Sequence, residues 1–141
     1  MVRKYQQRIS GPLLDRIDLH VDVPRLAEEE LVTYPPAETS AEIRARVCVA
    51  RDAQIKRFEG RPFYCNAQMG SREIREFCTI SEDVRMLLRS AIQQLSLSAR
   101  AYDRILKVAR TIADLSHSDE IAVPHVAEAI QYRTLDRKMW A

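Results

Sequence analysis

Two arginines stand at positions where a guanidinium could contact a phosphate. The first, Arg16, ends the run Ser-Gly-Pro-Leu-Leu-Asp-Arg at residues 10–16 and precedes an alternating apolar segment. An exposed arginine at the end of a rigid element suits an arginine finger, which reaches a γ-phosphate on a neighbouring subunit and neutralises developing charge. A cation at a helix C-terminus is also favoured by about 0.3–1 kcal/mol, so a structural role is the alternative.

The second arginine, Arg100, lies in the first turn of a helix that Ser98 is predicted to cap. The helix macrodipole is positive at that end, so a cation there is mildly unfavourable. Free backbone N–H groups beside a guanidinium suit an anion, and a nucleotide phosphate is the natural candidate. The alternative is a surface arginine that is tolerated because its cost is small.

The sequence contains no self-contained active site. It has no phosphate-binding loop and no acid and base at matched spacing. The three cysteines, Cys48, Cys65 and Cys78, form no C-x-x-C pair, and the histidines have no zinc-site spacing, so we interpret the cysteines as reduced, partly buried thiols. We therefore expect no catalysis and no bound metal or cofactor from these residues alone.

Composition favours a mainly helical protein. The chain has 141 residues, 46% of them hydrophobic, which is enough for a core, but only three glycines and 6% aromatic residues. A net charge of +2, from 22 basic and 20 acidic residues, does not by itself indicate a nucleic-acid or membrane partner. Because no apolar run approaches the roughly 20 residues of a membrane span, we expect a cytoplasmic protein without a membrane partner.

The N-terminal part is predicted to contain a short helix and one strand. Residues 10–16 read as the helix, and the alternation of Ile17, Leu19, Val21 and Val23 with polar residues predicts the strand. A lone strand cannot satisfy its backbone, so we expect its partners in another chain or in missing sequence, and the N-terminus to be a cut edge. We expect residues 1–35 to lack order or to pair with another copy, independently of the rest.

The remainder is predicted to be a small bundle of four or five helices. Proline and acidic residues at 24–40 indicate a connector, and we place the domain boundary between residues 35 and 36. The next helix, at residues 39–58, begins with the capping-box pair Thr39 and Glu42. Further helices are predicted at residues 71–78, 81–95, 98–115 and about 124–132. The helix at 98–115 should bury Ala101, Ile105, Val108, Ala109 and Ile112, opposite a polar stripe of Arg100, Arg104, Lys107, Thr111 and Asp114.

The helix at 39–58 is basic. Its cations could form a solvated face paired in part with Glu42, Asp52 and Glu59, or a contact surface for nucleic acid. Both interpretations are open from the sequence. The cations concerned are Arg44, Arg46, Arg51, Lys56 and Arg57.

Several segments resemble magnesium-chelatase-like AAA+ ATPases of the ComM/YifB type. Residues 5–20, with the motif Leu-Leu-Asp-Arg at 13–16, are similar to the segment that follows sensor 1 in that family. Residues 40–46, 66–69, 97–110 and 129–133 are similar to its C-terminal domain. The resemblance covers nearly the whole chain and implies a helical-bundle AAA+ lid, residues 36–141, preceded by a core remnant, residues 1–35. No family role is attached to Asn66 or Met69.

By this resemblance Arg16 takes the catalytic arginine-finger position, acting in trans, and Arg100 takes the nucleotide-binding sensor-2 position. The rest of the family's core, which includes Walker A and Walker B, is missing here. The resemblance implies a lid and subunit-contact fragment of a hexameric, ATP-hydrolysing motor that uses ATP and Mg in its full-length form. Its expected partners are its own AAA+ core, neighbouring ring subunits and DNA, the last through branch migration linked to competence. A chelatase-type ATPase acting on a protein–porphyrin partner, or a plain helical interaction domain, is the alternative.

Overall fold

The computed structural model describes Leu13 and residues 16–25, 37–95 and 97–133. Those residues are mainly helical, which confirms the predicted fold class. Each of the five helices predicted after residue 38 is present, with its ends within one residue of the prediction. The helices are α1 (Ser40–Arg57), α2 (Ser71–Phe77), α3 (Glu82–Leu95), α4 (Ala99–Leu115) and α5 (Val123–Gln131), with a short 3-10 helix (Asn66–Gln68) between α1 and α2.

Side-chain caps fix where the two longest helices begin. At the start of α1, the Glu42 N–H donates to Thr39 Oγ1 over 3.3 Å, and the Thr39 N–H donates to Glu42 Oε2 over 2.7 Å. At the start of α4, the Ala101 N–H donates to Ser98 Oγ over 3.2 Å. Each cap satisfies backbone donors that have no partner within the helix.

Helix α4 lies at the centre of the bundle and contacts α1, α2, α5 and the 3-10 helix, while α3 packs on α5. Three of the residues predicted to be buried on α4, Ala101, Ile105 and Ala109, are at most 1% exposed. The neighbouring Leu106 is also buried, so the apolar stripe is wider than the pattern indicated. The shared core further includes Phe58, Met69, Ile74, Val84, Leu88, Ile121, Val126 and Ala129.

The predicted strand at residues 17–23 is not formed. No strand is assigned in that segment, and Ile17, Leu19 and Val23 are 39%, 48% and 82% exposed, whereas His20 is buried. The physical reason is that a strand needs a neighbouring backbone for its hydrogen bonds, and no described residue supplies a ladder to it. Of the predicted short helix, Leu13 is helical and Arg16 lies in a turn; its other residues, and residues 26–36 of the connector, lie outside the described part.

Candidate functional site

Arg16 lies in an exposed turn, where its N–H donates to the Leu13 carbonyl over 3.0 Å. Its guanidinium forms no hydrogen bond or ion pair with any residue that the structure describes. The backbone of Arg16 is therefore held while the charged end of the side chain is open to solvent. This geometry leaves the guanidinium available to an external anion.

Arg100 is exposed in the first turn of α4, as the sequence predicts. Its guanidinium likewise has no carboxylate partner within the described ranges. No acidic residue occupies that first turn, so nothing local offsets the positive charge of the arginine and the helix end. The position suits an anion that approaches from outside the chain.

A third arginine, Arg104, connects these two candidates. Its Nη1 donates both to the backbone carbonyl of Arg16 and to the carboxylate of Asp18. Arg104 lies one helical turn after Arg100, and side chains four residues apart share a helix face. The structure therefore brings the backbone of Arg16 to the part of α4 that carries Arg100, a contact that the sequence analysis missed.

Two further contacts hold the segment around Arg16 on the bundle. The N–H of His20 donates to the Tyr132 carbonyl over 2.9 Å, and Arg133, which is 1% exposed, donates through Nη1 to the Ile17 carbonyl. The expectation that the whole N-terminal part is independent of the bundle is thus wrong for residues 16–20. The segment contacts the bundle because it has no partner strand, so its backbone carbonyls accept hydrogen bonds from arginines of the lid instead.

A buried polar cluster joins α1, the 3-10 helix and α4. The Asp114 carboxylate, 1% exposed, accepts from Arg57 Nη1 and from Asn66 Nδ2, each over 2.8 Å, and from Arg110 Nε over 3.1 Å. Asn66 also donates through its backbone N–H to Gln54 Oε1 over 3.1 Å. Asp114 was predicted to lie on the same polar stripe of α4 as Arg100, but Asp114 is buried whereas Arg100 is exposed.

The same cluster accounts for two residues to which no role was attached. Asn66 is 1% exposed and links α1 to α4 through its hydrogen bonds, and Met69 is 2% exposed within the core. Arg110 is 3% exposed and also donates to the Asp119 carbonyl over 2.7 Å, at the end of α4. These residues hold the lid together and are not open to a ligand.

The basic helix α1 offers less free charge than its composition indicates. Arg57 is engaged with Asp114, and Arg46 forms a bidentate pair with Glu38. The hydrogen bond from Arg46 lowers the pKa of the Glu38 carboxyl. The predicted acidic partners on this helix are therefore not the ones used by these two arginines. The cations of α1 that remain exposed without a described partner are Arg44, Arg51 and Lys56.

The described ranges contain neither a metal-binding group nor a membrane-spanning helix. No group of three or more His, Cys, Asp or Glu side chains there could hold a metal ion. The described helices also include none with both the length and the apolar character that a membrane span requires. The candidate site is the surface formed by Arg16, Arg100 and Arg104.

Comparison with known proteins gives consistent matches along the chain. Residues 37–133 match the family model described as magnesium chelatase, subunit ChlI C-terminal, and residues 1–31 match the one described as magnesium chelatase, subunit ChlI. The chain is 44% identical to the uncharacterized protein YifB of Escherichia coli (strain K12), over 95% of its residues. It is 43% identical to the competence protein ComM of Haemophilus influenzae, over 96% of its residues.

An uncharacterized protein of Mycobacterium tuberculosis (strain ATCC 25618 / H37Rv) is 34% identical over 93% of this chain. The chain spans about a quarter of the length of the curated relatives it matches, 26% in each of these three. The matches to both family models and to all three relatives therefore describe one part of a larger type of protein.

Proposed function

The chain belongs to the magnesium chelatase subunit ChlI C-terminal family, and from this membership we propose that it forms the lid and subunit-contact part of a ring-forming AAA+ ATPase. The complete ATPase would use ATP and Mg²⁺. Within the described residues no group of three or more His, Cys, Asp or Glu side chains could hold a metal ion. The guanidinium groups of Arg16 and Arg100 are suited to bind the phosphates of a nucleotide.

One observation carries the proposal: Arg16 and Arg100 are both exposed without a described counter-ion, and Arg104, one turn after Arg100 on α4, donates to the Arg16 backbone carbonyl. Arg57 and Arg110 are engaged with carboxylates. Arg44 and Arg51 of α1 are also exposed without a described partner, so what distinguishes Arg16 and Arg100 is the contact by which Arg104 joins the segment of Arg16 to the helix of Arg100. Arginines left open at one surface are what phosphate recognition requires, since a guanidinium already neutralised by a carboxylate binds an anion weakly.

We assign Arg16 the role of an arginine finger that acts on the nucleotide of a neighbouring subunit. There it would stabilise the charge that develops on the transferred phosphoryl group. We assign Arg100 the sensor-2 role, in which the first turn of α4 contacts a nucleotide phosphate and links nucleotide state to the position of the lid. Neither role requires a base or a nucleophile from this chain.

A more specific part of the proposal concerns the molecule on which the motor acts, its client. We propose a DNA-remodelling motor of branch-migration type, assembled as a hexamer, and similarity to a protein named competence protein ComM agrees with a role linked to competence. The family model is named for magnesium chelatase, so a chelatase-type ATPase that acts on a protein–porphyrin partner is the second candidate. The exposed cations Arg44, Arg51 and Lys56 of α1 agree with DNA, although two other cations of that helix are already paired.

The deciding experiment is ATP hydrolysis by the complete ATPase with Arg16→Ala. We expect kcat to fall by on the order of 10³-fold or more while nucleotide binding is retained, because a finger stabilises only the transition state. The matched control is Arg89→Ala, an exposed arginine on α3, which should leave kcat unchanged. Mixing Arg16→Ala subunits with subunits that lack the phosphate-loop lysine should restore part of the activity. Normal hydrolysis by Arg16→Ala would refute the assignment.

A second measurement addresses the client. We expect DNA to stimulate the ATPase of the complete protein and to bind it with an affinity that falls steeply as salt increases, because phosphate contacts release counterions. Stimulation by a porphyrin-binding protein partner, with no response to DNA, would instead support the chelatase-type candidate.

A further inference from the structure

We propose that Arg104 is a positioning residue for Arg16, and that it makes the candidate finger move as one body with the lid. This inference rests on the proposed function, because it assigns Arg104 an effect that is exerted through Arg16. Its basis is a set of contacts between residues 16–20 and the helical bundle. Neither the family match nor the sequence motifs assign Arg104 a role.

The contacts of Arg104 act on the base of the Arg16 side chain. Its Nη1 donates to the Arg16 backbone carbonyl and to the Asp18 carboxylate, so the guanidinium bridges two points on either side of Ile17. The Arg104 side chain is 22% exposed and that of Asp18 is 52% exposed. Because the bond goes to the carbonyl of Arg16 and not to its guanidinium, the backbone is fixed while the charged end stays free.

Two more anchors prevent the segment from pivoting about Arg104. The Ile17 carbonyl accepts from the buried Arg133, and the His20 N–H donates to the Tyr132 carbonyl over 2.9 Å. Arg104 lies on α4, whereas Tyr132 and Arg133 directly follow α5. Four hydrogen bonds, formed with α4 and with the residues that follow α5 and spread over residues 16–20, fix both the position and the direction of the segment.

The two elements that provide these anchors form one packed unit. Ala101, Ile105 and Ala109 of α4 and Val126 and Ala129 of α5 are all at most 1% exposed in the shared core. Close-packed elements of this kind move together and transmit displacement. A rotation of the lid therefore carries the backbone of Arg16 with it.

The consequence is a link between the two candidate phosphate contacts. Arg100 precedes Arg104 by one turn on the same helix face, so a phosphate that draws Arg100 inwards also displaces the residue that holds Arg16. Nucleotide at one site would then set the position of the finger through a single rigid helix. Misplacing a catalytic group by about 1 Å can lower kcat by roughly 100-fold, so a change in the position of Arg16 should be measurable in kcat.

Kinetics of the complete ATPase test the inference. We expect Arg104→Ala to lower kcat by roughly 10- to 100-fold with KM and nucleotide affinity unchanged, because Arg104 orients a group that acts only in the transition state. Arg104→Lys should recover part of the loss, since an ammonium can still donate to the carbonyl and the carboxylate. The matched control is again Arg89→Ala.

The double variant Arg16→Ala/Arg104→Ala distinguishes a positioning role from an independent one. If Arg104 acts through Arg16, the double variant should be no slower than Arg16→Ala alone, because the effects of coupled residues do not add. A further fall in kcat in the double variant would overturn the inference. So would normal kcat in Arg104→Ala when Arg16→Ala is inactive, and that result would leave the proposed function standing. Normal kcat in Arg16→Ala would refute the proposed function itself.

Hydrogen exchange of the 141-residue chain supplies a readout that is independent of catalysis. In Arg104→Ala the amides of residues 17–20 should exchange faster than in the parent chain, while those of α5 are unchanged. Arg100→Ala, one turn earlier, is the control and should leave the exchange of residues 17–20 as it is. Unaltered exchange in Arg104→Ala would show that Arg104 does not anchor the segment, and the inference would fail.

Discussion

Arg57 on α1 donates two hydrogen bonds to the carboxylate of Asp114 on α4, 57 residues further along the chain. Bidentate pairing of this kind fixes the mutual orientation of two helices as well as joining them. The same carboxylate accepts from Arg110 and from Asn66. Asp114 is thus the point at which α1, the 3-10 helix and α4 are held together.

Removing that carboxylate should strongly destabilise the lid. Asp114→Ala leaves Arg110, 3% exposed, buried without its counter-ion, and we expect the free energy of unfolding to fall by about 3–5 kcal/mol. Urea denaturation of the 141-residue chain measures this. The control is Glu76→Ala, which breaks an exposed pair with Arg61 and should cost less than about 1 kcal/mol. Similar losses in the two variants would contradict a structural role for the buried cluster.

Arg100 should be dispensable for folding. It is exposed and has no described partner, so Arg100→Ala should change the free energy of unfolding by no more than about 0.5 kcal/mol. In the complete ATPase the same variant should weaken nucleotide-dependent closure of the lid. The buried Arg110→Ala is the contrasting variant, because it should destabilise the chain by several times that amount. A large stability loss in Arg100→Ala would make Arg100 a structural residue.

Local patterns predicted the helices of the lid and the exposure of Arg16 and Arg100, because caps and apolar periodicity are set by residues close in sequence. They could not predict the contact from Arg104 to Arg16, which spans 88 residues. They also misplaced Asp114, since the amphipathic pattern of α4 assigns charged residues to the side away from the core. The strand predicted at residues 17–23 is not formed, because alternation shows which residues could share a face but supplies no partner strand.

The 141-residue chain should not hydrolyse ATP by itself. Its sequence holds no phosphate-binding loop, and phosphoryl transfer requires such a loop to position the nucleotide and its metal ion. We expect phosphate release by the purified chain to equal that of Arg16→Ala prepared in the same way. Turnover above that background, lost in Arg16→Ala, would mean that a complete site forms within these residues.

The cysteines should differ sharply in reactivity. Burial raises the pKa of the Cys78 thiol from 9.0 to about 11, so at pH 8 only about one molecule in a thousand carries the thiolate, against about one in ten at the ordinary value. Cys48 is exposed and should react first with a thiol reagent. Cys48→Ser should remove the fast phase and leave the slow one. A fast phase that persists in Cys48→Ser and is absent in Cys78→Ser would contradict this order.

The same raised pKa predicts how stability depends on alkaline pH. The folded state favours the protonated thiol of Cys78. The contribution of this thiol to the free energy of unfolding is therefore fully present below pH 9 and is lost as the pH rises to about 11. Unfolding midpoints between pH 8 and pH 11 should therefore fall more steeply in the parent chain than in Cys78→Ala. Parallel curves would show that Cys78 contributes nothing to the pH dependence.

The N-terminal half of α1 should open more readily than the rest of the bundle. Along α1 only Ala50 and Gln54 are buried, whereas Ile43 and Val47 are 42% and 43% exposed. Helical segments without tertiary packing are marginal in water, so the amides of residues 44–49 should exchange much faster than those of residues 105–113 on α4.

The capping box at Thr39 should be the main stabiliser of that exposed half. Thr39→Ala removes the acceptor for the Glu42 N–H, at a typical cost of about 0.5–2 kcal/mol, and should further accelerate exchange at residues 44–49. Because α4 has its own cap, the matched variant Ser98→Ala should affect the first turn of α4 and leave α1 unchanged. If residues 44–49 are instead as well protected as residues 105–113 in the parent chain, then another surface must cover Ile43 and Val47. Measuring the exchange at several protein concentrations would show whether that surface belongs to a second copy.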